Sequence, residues 1–264
     1  MSDYRYISFC RENHTGIITL RRPQVMNALN KEITQELHQL LEEIPSYFPD
    51  IRVVILTGEG RGFCSGADLS RMGTGGSENR RENSKNGHKR IQELAQAFRD
   101  LPQPVIAAIN GPAVGAGFSL AMASDIRIAS ESSRFSAIFV RRGLVPDTAA
   151  STTVVAVAGF AVAAEMSLTG SIYSSSWALS KGLVSKVVPD ELLMPTAIEI
   201  AAIISANPPL AVRNTKKLLH VRTPDWSVIV ENEDNMGSEL YDTKDQKEAV
   251  AAFLEKRKPN YIGQ

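Results

Sequence analysis

Three short apolar runs constrain the fold class more than anything else in this chain: GIITL at 16–20, VVILTG at 53–58 and PVIAAING at 104–111. Each is rich in β-branched residues and closed by glycine or charge, so each reads as a buried strand. Between the first two lies NKEITQELHQLLEEI, residues 30–44, with Ile33, Leu37, Leu40, Leu41 and Ile44 on one helical face, an Asn cap and an early acid. A second helical pattern, HKRIQELAQAFRDL at 88–101, precedes the third strand, and GFSLAMASD reads as a buried small-residue helix before the strand IRIAS at 126–130. Strand and helix alternate, which predicts an α/β fold with a mostly parallel sheet. From about residue 190 the pattern turns helical, so we expect a core domain over 1–190 and a helical lobe over 191–264.

The function classes are narrowed by charge and cysteine usage. Twenty-nine basic residues balance 29 acidic ones, so no global field gathers nucleic acid or an anionic membrane, and a small-molecule partner is expected. Cys10 and Cys64 are widely spaced, and the N-terminal MSDYRYISFC has no signal-peptide core, which fits a soluble cytoplasmic protein with free thiols. No run is expected to approach the roughly 20 uninterrupted apolar residues a membrane helix needs, because VIAAINGPAVGAGFSLAMASDI is broken by Asn110, Pro112 and three glycines. The polar, basic stretch at 71–90 reads as a mobile surface loop or as a lid that orders over ligand.

Two glycine-containing turns present backbone amides. RGFCSGADL, 61–69, follows the second strand, and its small residues permit close approach to a ligand. NGPAVGAGFSLA follows the third strand with Gly111, Gly115 and Gly117 at a strand-to-helix junction, where the first helical N–H groups lack partners. A dinucleotide loop of the short-chain dehydrogenase kind is an alternative for the second turn, but no tyrosine here has lysine four residues on. Glycines serving only close packing are the other alternative. Together the turns supply one N–H each from neighbouring strands, as an enolate-like oxygen on a thioester requires.

These blocks resemble the crotonase superfamily of enoyl-CoA hydratases and isomerases: RRPQVMNALN, RGFCSGADL, INGPAVGAGFSLAMASDIRIA, FSAIFVRRGLVPDTAAS, LTGSIYSSSWALSKGLVSKVV and FLEKRKPNY, in that order along nearly the whole chain. The resemblance implies a ClpP/crotonase-like spiral of β-β-α units with C-terminal helices, assembled as a homotrimer or a dimer of trimers. It implies an oxyanion hole from the amides of Ala67 and Ala116. It places acyl-CoA contacts near Met26, Ala28, Ser65, Gly66, Asp68, Leu69, Gly115 and Phe139, with Phe253 and Lys256 reaching the nucleotide of an adjacent subunit. Residue types alone leave Lys256 open to being a solvated helix-end charge and Asp68 to being a helix cap. No metal and no organic cofactor are implied, and CoA enters as part of the substrate.

The departures are informative. Hydratases of this superfamily hold water with two glutamates; the matching positions here are Ser119 and Phe139, neither of which can accept or donate a proton at neutral pH. What remains is Asp147 in GLVPDTAAS, at a position where several branches carry their acid. Two roles are open to it: a base that moves a proton between α- and γ-carbons, made more basic by Phe135, Ile138, Phe139 and Val145, or the N-cap of the following helix. Expected weaker candidates are His14, His38 on the polar side of its helix, His88 and His220, which have no metal-ligand spacing. Cys64 reads as packing, and Ser65 is not in a nucleophile elbow. The expected activity is an enoyl-CoA isomerase, with a hydratase, an Asp-dependent hydrolase or dehalogenase, or a silent acyl-CoA binder as alternatives.

Overall fold

The strand VVILTG is buried along its whole length at the centre of the molecule, which we describe from a computed structural model over residues 4–68, 90–221, 235, 239–240 and 243–264. It is β3 (Val53–Gly58) of a six-stranded sheet ordered β1 (Ile7–Glu12), β2 (Thr15–Leu20), β3, β4 (Val105–Ile109), β6 (Ile126–Ser130), β9 (Lys186–Val188). Only the β1–β2 hairpin is antiparallel; every later pair is parallel. Parallel strands at the centre of such a sheet are covered on both faces, which explains the apolar composition of β3 and β4.

Period-two alternation divides the side chains between two cores. Val54, Leu56, Ala107 and Ile109 face one core with α1 (Lys31–Glu43), α2 (Leu94–Asp100) and α3 (Ala116–Ala123). Val53, Ile55, Ile106 and Ala108 face the other, against Leu193, Ala197 and Ala201 of α6 (Leu193–Ser205). Asn30 caps α1 as expected, its side chain accepting the Ile33 N–H at 3.1 Å.

A second layer of short pairings runs beside the main sheet. Leu29 bridges Ala67 and Cys64 bridges Ala113, both parallel. β5 (Ala113–Val114) pairs with β7 (Arg134–Ser136), which pairs with β8 (Tyr173–Ser174). A long strand, a short pairing segment and a helix therefore recur: β2, Leu29, α1; β3, Cys64 to Ala67, α2; β4, β5, α3; β6, β7, α4 (Ala150–Thr169). This is the expected spiral. Its geometry brings the turn after β3 beside the turn after β4.

Two features differ from expectation. α4, and not the glycine-broken run at 105–126, is long and apolar enough by length and composition to cross a bilayer; Gly159 leaves helical geometry inside it. His38 is 5% exposed rather than on a polar face, because α2 and its leading turn cover that side of α1 and its Nε2 meets the Arg90 carbonyl at 3.0 Å.

A buried ion cluster pins α7 (Pro209–His220) to the sheet. Lys216 Nζ donates to Asp125 Oδ2 at 3.0 Å and to the Gln103 carbonyl at 2.9 Å, and His220 Nε2 lies 2.7 Å from Asp125 Oδ1. Burial alone would raise the Asp125 pKa, but the His220 hydrogen bond, the Lys216 charge and the Val105 N–H outweigh it and hold it below the usual range. A lowered folded pKa contributes stability that is present above the ordinary aspartate pKa and lost as pH falls through the folded value. Lys216→Met strands part of this carboxylate, so we expect a loss of about 3 kcal/mol, or roughly 6–12 °C in Tm, by thermal unfolding at pH 7.

Candidate active site

The two amide-bearing turns meet at Gly66. Its φ is +91°, and a Cβ there would lie 2.7 Å from the Val114 carbonyl oxygen and 3.2 Å from the Ala116 nitrogen. Only glycine allows this approach. Likewise a Cβ on Gly117 would lie 2.2 Å from the Cys64 carbonyl oxygen, so the start of α3 rests on the backbone of the first turn.

Each turn has an amide left over. The Leu29 N–H donates to Gly66 O at 2.8 Å and the Asp68 N–H to Leu29 O at 2.9 Å, so in parallel alternation the Ala67 N–H faces away from Leu29. Ala116 opens α3 behind Gly115 (φ 54°, ψ −125°), and a first-turn N–H has no carbonyl of its own helix to bond. Both residues border one cavity of about 120 Å³, together with Ser65, Gly115, Phe139 and Asp147.

Asp147 is half-buried on this cavity. Its Oδ1 accepts the Thr148 hydroxyl at 3.0 Å and its Oδ2 the Gln92 amide at 3.3 Å. It does not cap the helix: the cap of α4 is Ala149, and no side chain accepts a helix N–H there. The carboxylate is therefore free of the capping role that residue types left open. Thr148 and Ala149 are both left-handed, at φ 51° and 61°, a strain of roughly 1–3 kcal/mol each that clusters at functional sites. The loop is tied down through the Asp147 carbonyl, which accepts the Ser119 hydroxyl at 3.1 Å and the Ala150 N–H at 3.0 Å.

The apolar surroundings are only partly those expected. Ile138 and Phe139 form cavity wall, and Phe135 packs edge-on against Phe118 in the core at 6.5 Å. Val145 is 78% exposed: the irregular segment at 144–147 turns it outward, so it does not shield Asp147. Cys64 is fully buried, and burial pushes its thiol up to about 12 despite the Gly66 N–H. It is inert at neutral pH.

The remaining expected contacts divide. The Met26 carbonyl accepts the Ser65 N–H at 2.9 Å, and Ala28 is buried one residue from the Leu29 bridge; both flank the cavity's first turn without lining it. Asp68 pairs with Arg22 at 2.9 Å. Lys256 is exposed at the end of α8 (Lys244–Glu255) and does not line the cavity of its own chain. Phe253 belongs to α8, but its side chain, like Leu69, His88 and the 71–89 stretch, lies outside the described residues. Gln92, Thr148, Arg142 and Leu144 were not anticipated. Gln92 reaches Asp147 across 55 residues, which no local pattern signals, whereas Arg142 stood in the same block as Asp147. Among the described residues no three His, Cys, Asp or Glu side chains converge as a metal site.

A sequence profile described as Enoyl-CoA hydratase/isomerase matches residues 11–264. The short-chain-enoyl-CoA hydratase of Clostridium acetobutylicum is 36% identical over 250 residues, covering 94% of each chain. The 1,2-epoxyphenylacetyl-CoA isomerase of Escherichia coli is 32% identical over 247 residues, covering 93% of this chain and 94% of its own. The crystal structure of an enoyl-CoA hydratase from Bacillus anthracis superposes with a TM-score of 0.92 at 35% identity, over 98% of this chain and 100% of that one.

Proposed function

We propose, from the premise that this chain belongs to the enoyl-CoA hydratase/isomerase family, that it isomerises an enoyl-CoA by moving one proton and adding no water. The observation that carries this reading is the cavity's single carboxylate among the described residues, Asp147, beside the amides of Ala67 and Ala116.

The chemistry balances with these groups alone. With the thioester oxygen between the two N–H groups, Asp147 takes the α-proton of a 3-enoyl thioester; the C–H electron pair delocalises into a dienolate held by the amides. Asp147 then returns the proton to the γ-carbon, and the double bond lies between α and β. No redox change and no co-reactant are involved. Hydration instead needs a group to activate water and a donor for the α-carbon. The positions that the resemblance gives to those glutamates hold Phe139, which has no proton to move, and Ser119, whose hydroxyl is fully buried between the Gly115 and Asp147 carbonyls.

Self-association belongs to the same reading. Phe160 and Leu168 of α4 are 77% and 76% exposed and Ile172 just beyond it 62%, and we infer that other copies cover this face in a homotrimer or a dimer of trimers. The test of activity is a substrate pair. With 3-enoyl-CoA we expect the absorbance of the conjugated thioester to rise; turnover of 2-enoyl-CoA alone, by gaining water, would overturn the reading.

A further inference from the structure

The cavity contains one charged side chain that the proton transfer does not use. Arg142 ends the turn of 3₁₀ helix Ile138–Arg142 and lines the same wall as Phe139, Leu144 and Asp147. Its neighbour Arg141 is spent on structure, donating to the Thr169 carbonyl at 3.0 Å and to Ser171 Oγ at 3.4 Å. Among the described residues Arg142 has no such partner. Nor does it pair with Asp147, whose two oxygens are already met by the neutral donors Thr148 and Gln92.

We propose that Arg142 is a specificity residue that selects acyl groups bearing a carboxylate beyond the reacting carbons. This rests on the site being an acyl-CoA cavity. A guanidinium presents a planar fork of donors that matches a carboxylate two bonds at a time. Its surroundings favour such a match: Val114, Ile138, Phe139 and Leu144 offer an acyl chain only apolar contact, and the Ser65 hydroxyl is occupied by the Val25 carbonyl at 3.1 Å. A purely aliphatic acyl chain would gain nothing from the cation and would partly desolvate it. A terminal carboxylate pairs with it two bonds at a time.

Binding of saturated thioesters tests this without turnover. By calorimetry, the wild-type protein is expected to bind adipyl-CoA about tenfold or more tighter than hexanoyl-CoA, and Arg142→Gln to erase that preference while leaving affinity for free CoA unchanged. Equal affinity for the two thioesters, or a preference for hexanoyl-CoA, overturns the proposal. So does an Arg142→Gln variant that loses free CoA as strongly as adipyl-CoA, which would put the guanidinium on a CoA phosphate. Because Arg142 is exposed and holds no other element, the variant should fold, as an unchanged Tm verifies. Failure of the isomerase reading shows separately, as absent turnover of 3-enoyl-CoA with this binding preference intact.

Discussion

Asp147→Asn is expected to lower kcat for conversion of 3-enoyl-CoA to 2-enoyl-CoA by about 10²–10⁴-fold, the usual contribution of a positioned acid/base, with little change in binding of a saturated acyl-CoA. The amide side chain keeps the size of the carboxylate and can still accept the Thr148 hydroxyl, but it cannot take a proton. Stability should hardly move, because Ala149, not Asp147, occupies the cap position of α4. That separation matters: had the carboxylate been capping, activity and Tm would fall together. Steady-state kinetics beside thermal unfolding checks both halves, and full turnover by the variant would remove Asp147 from its role.

Gly66→Ala should be comparably damaging for a different reason. The oxyanion donors are backbone groups and cannot be deleted, but they can be displaced. The added methyl would sit 2.7 Å from the Val114 carbonyl oxygen, which forces the two turns apart and misaligns at least one N–H. Losing one such donor costs about 10²–10³ in kcat. Gly182→Ala supplies the control, since its φ of +73° carries the same backbone penalty while a Cβ there meets nothing within 4 Å. We expect that variant to lose some stability and keep its kcat. If both variants keep wild-type kcat, the meeting of the turns at Gly66 is not what holds the donors.

The long elements were legible in the sequence because their physics is local. β2, β3 and β4 hold nearly continuous apolar runs, β6 is a short β-branched segment broken by Arg127, and α1 combines a helical apolar face with a side-chain cap that the structure retains. β5, β7 and β8 were not legible: with two or three residues each they have no periodicity, and they exist only because the spiral stacks one turn on the next. A helix after Asp147 was legible only through the capping role open to that residue; the length of α4 was not, because its apolar residues form no stripe to mark a buried face. At the site, the residue types of the two turns pointed to backbone donors, and it was the superfamily resemblance that assigned them to Ala67 and Ala116 and drew attention to Asp147. What surrounds Asp147 was hidden. Gln92, Ser119 and Thr148 come to it from three parts of the chain, and Val145, adjacent in sequence to Pro146, turns away. His38 was misplaced for the same reason: its burial is imposed by α2, a contact that α1 alone does not encode.

The central claim, proton transfer without water, is tested most directly by mass spectrometry of the product formed from 3-enoyl-CoA in H₂¹⁸O. The account predicts 2-enoyl-CoA of unchanged mass with no ¹⁸O incorporated. A 3-hydroxyacyl-CoA carrying ¹⁸O as the main product of the wild-type protein would contradict it.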